Sequence, residues 1–221
     1  MKEFDFYGTV GVIAPGMVMV LGAVVLFFPS DGNALLAVAN LSLGSLGIGL
    51  IVAYVAGHLL QAIGNCLEAL WWRFWGGMPT DWIRTGKHEV VAPVQRELVQ
   101  SRVREVISDP SFALSRTTAK HWYSITRQIY AAVAAANRSS RVDTFNGNYG
   151  LSRGIVAALL SLLAGMAVAH WRDWRIEITL LLLIVLAVYR MHRFGVCYAR
   201  ELFVQYLESP GAPDSDQAGG T

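Results

Sequence analysis

Tyr54, His58, Gln61, Asn65, Glu68 and Trp72 follow one another at three- and four-residue steps through an otherwise largely apolar stretch. On a helix, at about 100° per residue, these six side chains share an arc of roughly 80°. Hydrogen-bonding groups at membrane depth are costly and turn toward protein or water. The face therefore reads either as a polar seam bonded to a neighbouring helix or as the lining of a hydrated inner vestibule. In the vestibule Glu68 would attract cations. Direct acid–base exchange between His58 and Glu68 is excluded, because the helical rise between them is about 15 Å. A second stripe, Arg190, Arg193, Cys197, Arg200 and Glu201, occupies an arc of roughly 100°. Its guanidinium groups suit ion pairing with Glu68, Arg190 or Arg193 holding that carboxylate in a closed state, or attraction to anionic lipid.

Other chemistry is not signalled. The chain contains no HExxH, G-x-S-x-G, P-loop or dinucleotide fingerprint, and the Gly44–Gly49 cluster has the wrong spacing for phosphate binding. Cys66 and Cys197 lack CxxC spacing and read as buried free thiols, with no disulfide and no zinc site. No catalytic residue, metal or cofactor is expected. A net charge of +2 gives no ground for nucleic-acid binding.

The elements that must position these residues follow from hydropathy. Of the 221 residues 54% are hydrophobic and only 15% charged, where a soluble domain carries about 25%. The run Gly8–Phe28 has 21 residues without a charge, enough helix to cross a hydrocarbon core of about 30 Å. Pro15-Gly16 lies inside it and should kink it. Ala37-Val38-Ala39 has the form of a signal-peptidase site, but Glu3 and Asp5 beside a single Lys2 argue for a retained span. From Gly32 to Leu67 there are 36 uncharged residues, roughly 54 Å if all helical and longer than any bilayer. Ala34–Asn40 is placed at the outer interface, Leu41–Leu60 across the membrane and the remainder in a helix ending near Trp72. The Gly44–Gly49 cluster is where a bend would cost least.

Residues 73–153 are polar, with 12 Lys/Arg against 6 Asp/Glu. Pro93 opens a helix there, Asp109-Pro110 closes it, and a second amphipathic helix covers Thr117 to Asn137. Asn146-Gly147-Asn148 reads as a turn or weak joint. Gly154–Trp171 forms the third run. The fourth has the uncharged core Ile178–Tyr189, flanked by Glu177 and Arg190, which snorkel. Its helical pattern continues to Leu207.

The expected fold is all-α: a polytopic transmembrane helical bundle of four spans with a cytoplasmic helical insert and a C-terminal cytoplasmic helix extension. The domains are 1–72, 73–152 and 153–208, with a disordered tail at 209–221. Basic residues near span ends stay in the cytoplasm. That rule places the insert and both termini inside, in a bacterial inner membrane. Small residues recur every fourth position at Ser45, Gly49, Ala53 and Gly57, and again at Ala157, Ser161, Gly165 and Ala169. Such ridges let backbones approach, within one chain or between copies. Trp71, Trp72 and Trp75 on one side, with Trp171 and Trp174 on the other, read as interfacial belts.

The early Pro-Gly, the Gly57-His58-Leu59-Leu60-Gln61 stretch, the basic helical insert and the Tyr189-Arg190 exit resemble small uncharacterised bacterial four-helix membrane proteins. Some proteins of that design act as membrane effectors in antiphage defence. The resemblance implies a homo-oligomer in the lipid bilayer, channel-like and controlled through its cytoplasmic helices. The alternative, from a different class, is a passive anchor that docks a soluble cytoplasmic protein partner.

Overall fold

The computed structural model describes residues 6–27, 43–169 and 173–209. The described residues are helical, without strands. They form α1 (Phe6–Phe27), α2 (Leu43–Phe74), α3 (Pro79–Thr85), α4 (Pro93–Ile107), α5 (Ala119–Ala135), α6 (Ser140–Val168) and α7 (Trp174–Glu208), with a 3₁₀ turn at Leu114–Arg116. Four stretches, in α1, α2, α6 and α7, are long and apolar enough to cross a membrane. The expected interfacial segment Ala34–Asn40 and the tail beyond Ser209 lie outside the described residues.

Local signals set several boundaries. Pro93 takes the first helical position of α4, where its missing N–H costs nothing. The helix stops at Ser108, which adopts a left-handed φ of 52°, and Asp109 then accepts the Ser111 N–H at 2.9 Å to shape the turn. Thr118 caps α5 by accepting the His121 N–H. Two glycine-containing segments are helical throughout. Asn146-Gly147-Asn148 is not a turn, since α6 runs through it unbroken, but the boundary between the two compact units of the chain does fall there, between Asn146 and Gly147. Buried Val142 and Tyr149 anchor the two sides of that segment, and tertiary burial outweighs a local helix penalty of about 1 kcal/mol for the glycine. The Gly44–Gly49 cluster likewise lies inside α2 without a break.

The chain divides into two compact units. The first holds the described residues up to Trp71 together with Gly147–Phe194. Its core includes Leu26, Val156, Leu159, Leu162, Met166, Leu180, Ile184 and Ala187. Here α1 and α2 touch backbone to backbone: a Cβ on Gly16 would land on the Ala53 carbonyl, and one on Gly57 would land on that of Val12. A Cβ on Gly154 would sit 2.6 Å from Pro15 Cγ, so α6 closes on α1 at the proline. The second unit holds Trp72–Asn146 and the chain from Gly195. Trp72, Trp82, Trp122 and Phe203 are buried in it. Trp82 and Trp122 donate their indole N–H to the Gly77 and Thr80 carbonyls at 3.0 and 2.8 Å. Trp72, expected in an interfacial belt, is therefore a core residue, packed edge-on against Trp82. Arg102 of α4 donates to the carbonyls of Tyr206, Leu207 and Ser209 and satisfies the last turn of α7.

Candidate functional site

A chain of polar contacts crosses the first unit and begins at Pro15. Proline has no N–H, so the carbonyl four residues back, that of Gly11, loses its helical donor. Gln61 of α2 replaces it, its Nε2 donating to Gly11 O at 2.8 Å. The same amide's Oε1 accepts from Arg153 Nη2 at 2.8 Å. Arg153 Nη1 then pairs with Glu68 Oε2. Three helices thus contribute to one continuous path: α1 a carbonyl, α2 an amide and a carboxylate, α6 a guanidinium.

The glycines of this region make room for it. A Cβ on Gly64 would come within 3.1 Å of Arg153 Cγ, and one on Gly154 within 3.3 Å of Gln61 Nε2. Arg153 and Glu68 are each 19% exposed, so the pair sits at the edge of the unit's interior. Arg153 Nε is buried without an acceptor among the described residues. The guanidinium carbon also lies 5.9 Å from the centre of the Tyr149 ring, in cation–π range.

The structure divides the sequence-derived polar face. Gln61 and Glu68 are half-buried and bonded inward, whereas Tyr54, His58 and Asn65 are exposed. Tyr54 and His58 stack edge to face, with ring centres 4.6 Å apart. The reason is angular distance from the buried edge of α2, formed by Ala53, Gly57, Leu60 and Gly64: at about 100° per residue Glu68 and Gln61 lie roughly 50–70° from its centre, and Tyr54, Asn65 and His58 roughly 90–130°. Cys66 is exposed on the same helix, not buried as expected, and Cys197 is half-buried.

Glu68 does not pair with Arg190 or Arg193. Its partner is Arg153, a residue in neither polar stripe. A signal was present in the chain: Arg153 is the last charge before the apolar run of α6, and Glu68 the only carboxylate between Asp31 and Asp81. Arg190 and Arg193 are both exposed, the former 5.2 Å from the Phe194 ring centre. Farther along α7, Arg200 donates Nε to the Val90 carbonyl at 3.0 Å. Glu201 pairs with Arg141 at 3.3 Å and accepts from Gln205. The second stripe is therefore split, its end residues serving the packing of the second unit.

The two small-residue ridges also divide. Ala53 and Gly57 are consumed by contact with α1, while a Cβ on Gly49 would meet nothing within 4 Å. The side chain of Ser45 lies outside the described residues. Ala157 is fully buried, and Ser161 returns its hydroxyl to the Ala157 carbonyl at 2.8 Å. Gly165 is half-buried. No protein-family model, curated protein or solved structure matches the chain.

Proposed function

We propose that this chain is a multi-pass membrane protein that self-associates into a channel-like membrane effector, controlled through its cytoplasmic helices. One observation carries the reading. Tyr54, His58 and Asn65 are exposed on an apolar helix of membrane-spanning length. A polar side chain facing lipid is unfavourable, and such groups in spans mark contacts with protein or water. A second copy, meeting this face of α2, would satisfy them. Gln61, Arg153 and Glu68 are bonded to one another and to the Gly11 carbonyl within one chain. A hydrated path would therefore run between copies, lined by His58 and Asn65. The resemblance to antiphage effectors supplies the biological setting proposed for it.

Replacing both polar groups with apolar ones of similar size tests this. His58→Leu with Asn65→Leu leaves the internal contacts alone, and folded protein should accumulate as in wild type. Crosslinking in native membranes should drop, and dye entry on expression should fall with it. Wild-type protein that is monomeric in native membranes and leaves permeability unchanged would defeat the channel-like reading, and the anchor that docks a soluble partner would replace it.

Orientation has its own check. In a chain with Cys66 and Cys197 replaced by Ser, a single cysteine at Asp173 should react with an impermeant thiol reagent in intact cells. One at Arg116 should react only after lysis. The opposite pattern would invert the sidedness and with it the cytoplasmic control.

A further inference from the structure

Helix α5 carries two faces. Trp122, Ile125, Ile129 and Val133 point into the second unit and are buried. The adjacent face, with Tyr123, Thr126, Arg127 and Tyr130, lines an open cleft of about 710 Å³, bounded opposite by Asn146 and Tyr198. That volume falls in the range of small-molecule sites, about 300–1,000 Å³. One side of the helix is thus packed, while its neighbouring side is left concave, mostly apolar with a few polar groups.

The charges of the cleft are unevenly matched. Asp81, at its rim, is engaged by Arg84 at 3.8 Å. Asp143, behind Tyr130, accepts that hydroxyl at 2.7 Å. This bond is the main reason the Tyr130 phenol is pushed up to about 12, so it stays neutral and committed at physiological pH. Arg127 has only a long contact of 3.5 Å to the Tyr123 hydroxyl. No carboxylate among the described residues lies in ion-pair range of it. An unmatched guanidinium beside a phenol donor favours an oxyanion, which it binds through charge-assisted hydrogen bonds. The Tyr123, Tyr130 and Tyr198 rings offer flat apolar surface around it.

We propose that this cleft is a binding site for a soluble, mononucleotide-sized molecule that carries a phosphate or carboxylate on an aromatic ring system. Arg127 and the Tyr123 hydroxyl meet the anion, and the tyrosine rings take the planar body. Occupancy here does not depend on whether copies of the chain conduct.

Full-length protein in phosphatidylcholine nanodiscs, titrated calorimetrically, provides the test. The probes are adenosine 5′-monophosphate and phenyl phosphate, with adenosine and inorganic phosphate as comparators. Saturable binding is expected for at least one of the two probes, about tenfold tighter than for either comparator. Arg127→Gln should weaken it about tenfold and Tyr123→Phe by less, whereas Arg127→Lys should retain part of it, because the charge remains and the fork geometry is lost. Arg127 and Tyr123 are exposed, and an unchanged melting temperature in each variant confirms that folding is intact. Addition of phosphatidylglycerol to the nanodiscs should leave the affinity unchanged; competition by that lipid would assign the anion site to a headgroup and overturn the soluble ligand. Failure of both aromatic phosphates to bind, or binding indifferent to Arg127→Gln, would overturn the site itself.

Discussion

Arg153→Met is expected to lower the stability of the first unit by about 2–4 kcal/mol. Its guanidinium pairs with Glu68 and donates to Gln61, which in turn serves the Gly11 carbonyl left open by Pro15. Methionine preserves much of the volume and removes both bonds. The Glu68 carboxylate is then left without its cation, and an uncompensated charge near the interior costs more than the pair contributed. The value is set below that of a fully buried pair because each side chain keeps 19% exposure. The double variant Arg153→Met with Glu68→Gln should recover a large part of the loss, since no charge then remains to be buried. Chemical unfolding in detergent, with the yield of folded protein as a second reading, measures both. If Arg153→Met unfolds at the wild-type midpoint, or the double variant is no better than the single one, the polar path does not hold these helices together. Arg193→Ala is expected to leave the unit's stability unchanged, because Arg193 is exposed and Glu68 is already paired with Arg153.

Gly57→Leu should have the other large effect, and it should be loss of folded protein outright. A Cβ at Gly57 would coincide with the Val12 carbonyl, and at Gly16 with that of Ala53. Both obstacles are backbone, which cannot rotate away as a side chain can. Relief requires separation of α1 from α2 along their contact, which also draws Gln61 away from the Gly11 carbonyl. Overpacking commonly costs about 1–3 kcal/mol, and here a backbone obstacle with a coupled polar loss should exceed it. Gly49→Leu is the internal comparison: the same chemical change eight residues earlier meets open space and should leave accumulation unchanged. In the proposed oligomer it should weaken crosslinking instead. Equal accumulation of Gly57→Leu and Gly49→Leu would remove the close contact of α1 and α2 from the fold.

These contrasts show which features were legible in the chain itself. The four apolar helices were, because hydropathy sums along contiguous residues and needs no knowledge of neighbours. So were the limits of α4 and α5, since Pro93, Asp109 and Thr118 act on their own backbone within a few residues. The freed Gly11 carbonyl follows from Pro15 alone. What filled it did not: Gln61 is 50 residues away, and only the crossing of α1 with α2 brings them together.

Helix periodicity placed Tyr54, His58, Gln61, Asn65 and Glu68 on one face, and the arc is real. The sequence by itself determined that these groups lie side by side, because 3.6 residues per turn is a property of the backbone. Only the tertiary structure decided which of them turn inward, because the rotation of α2 about its axis is set by where Gly16 and Gly57 let the backbones of α1 and α2 touch. That rotation leaves Gln61 and Glu68 bonded within and Tyr54, His58 and Asn65 without. It also gave Glu68 to Arg153 instead of Arg190 or Arg193, since an ion pair depends on distance in space, and charge spacing along a chain carries no record of it.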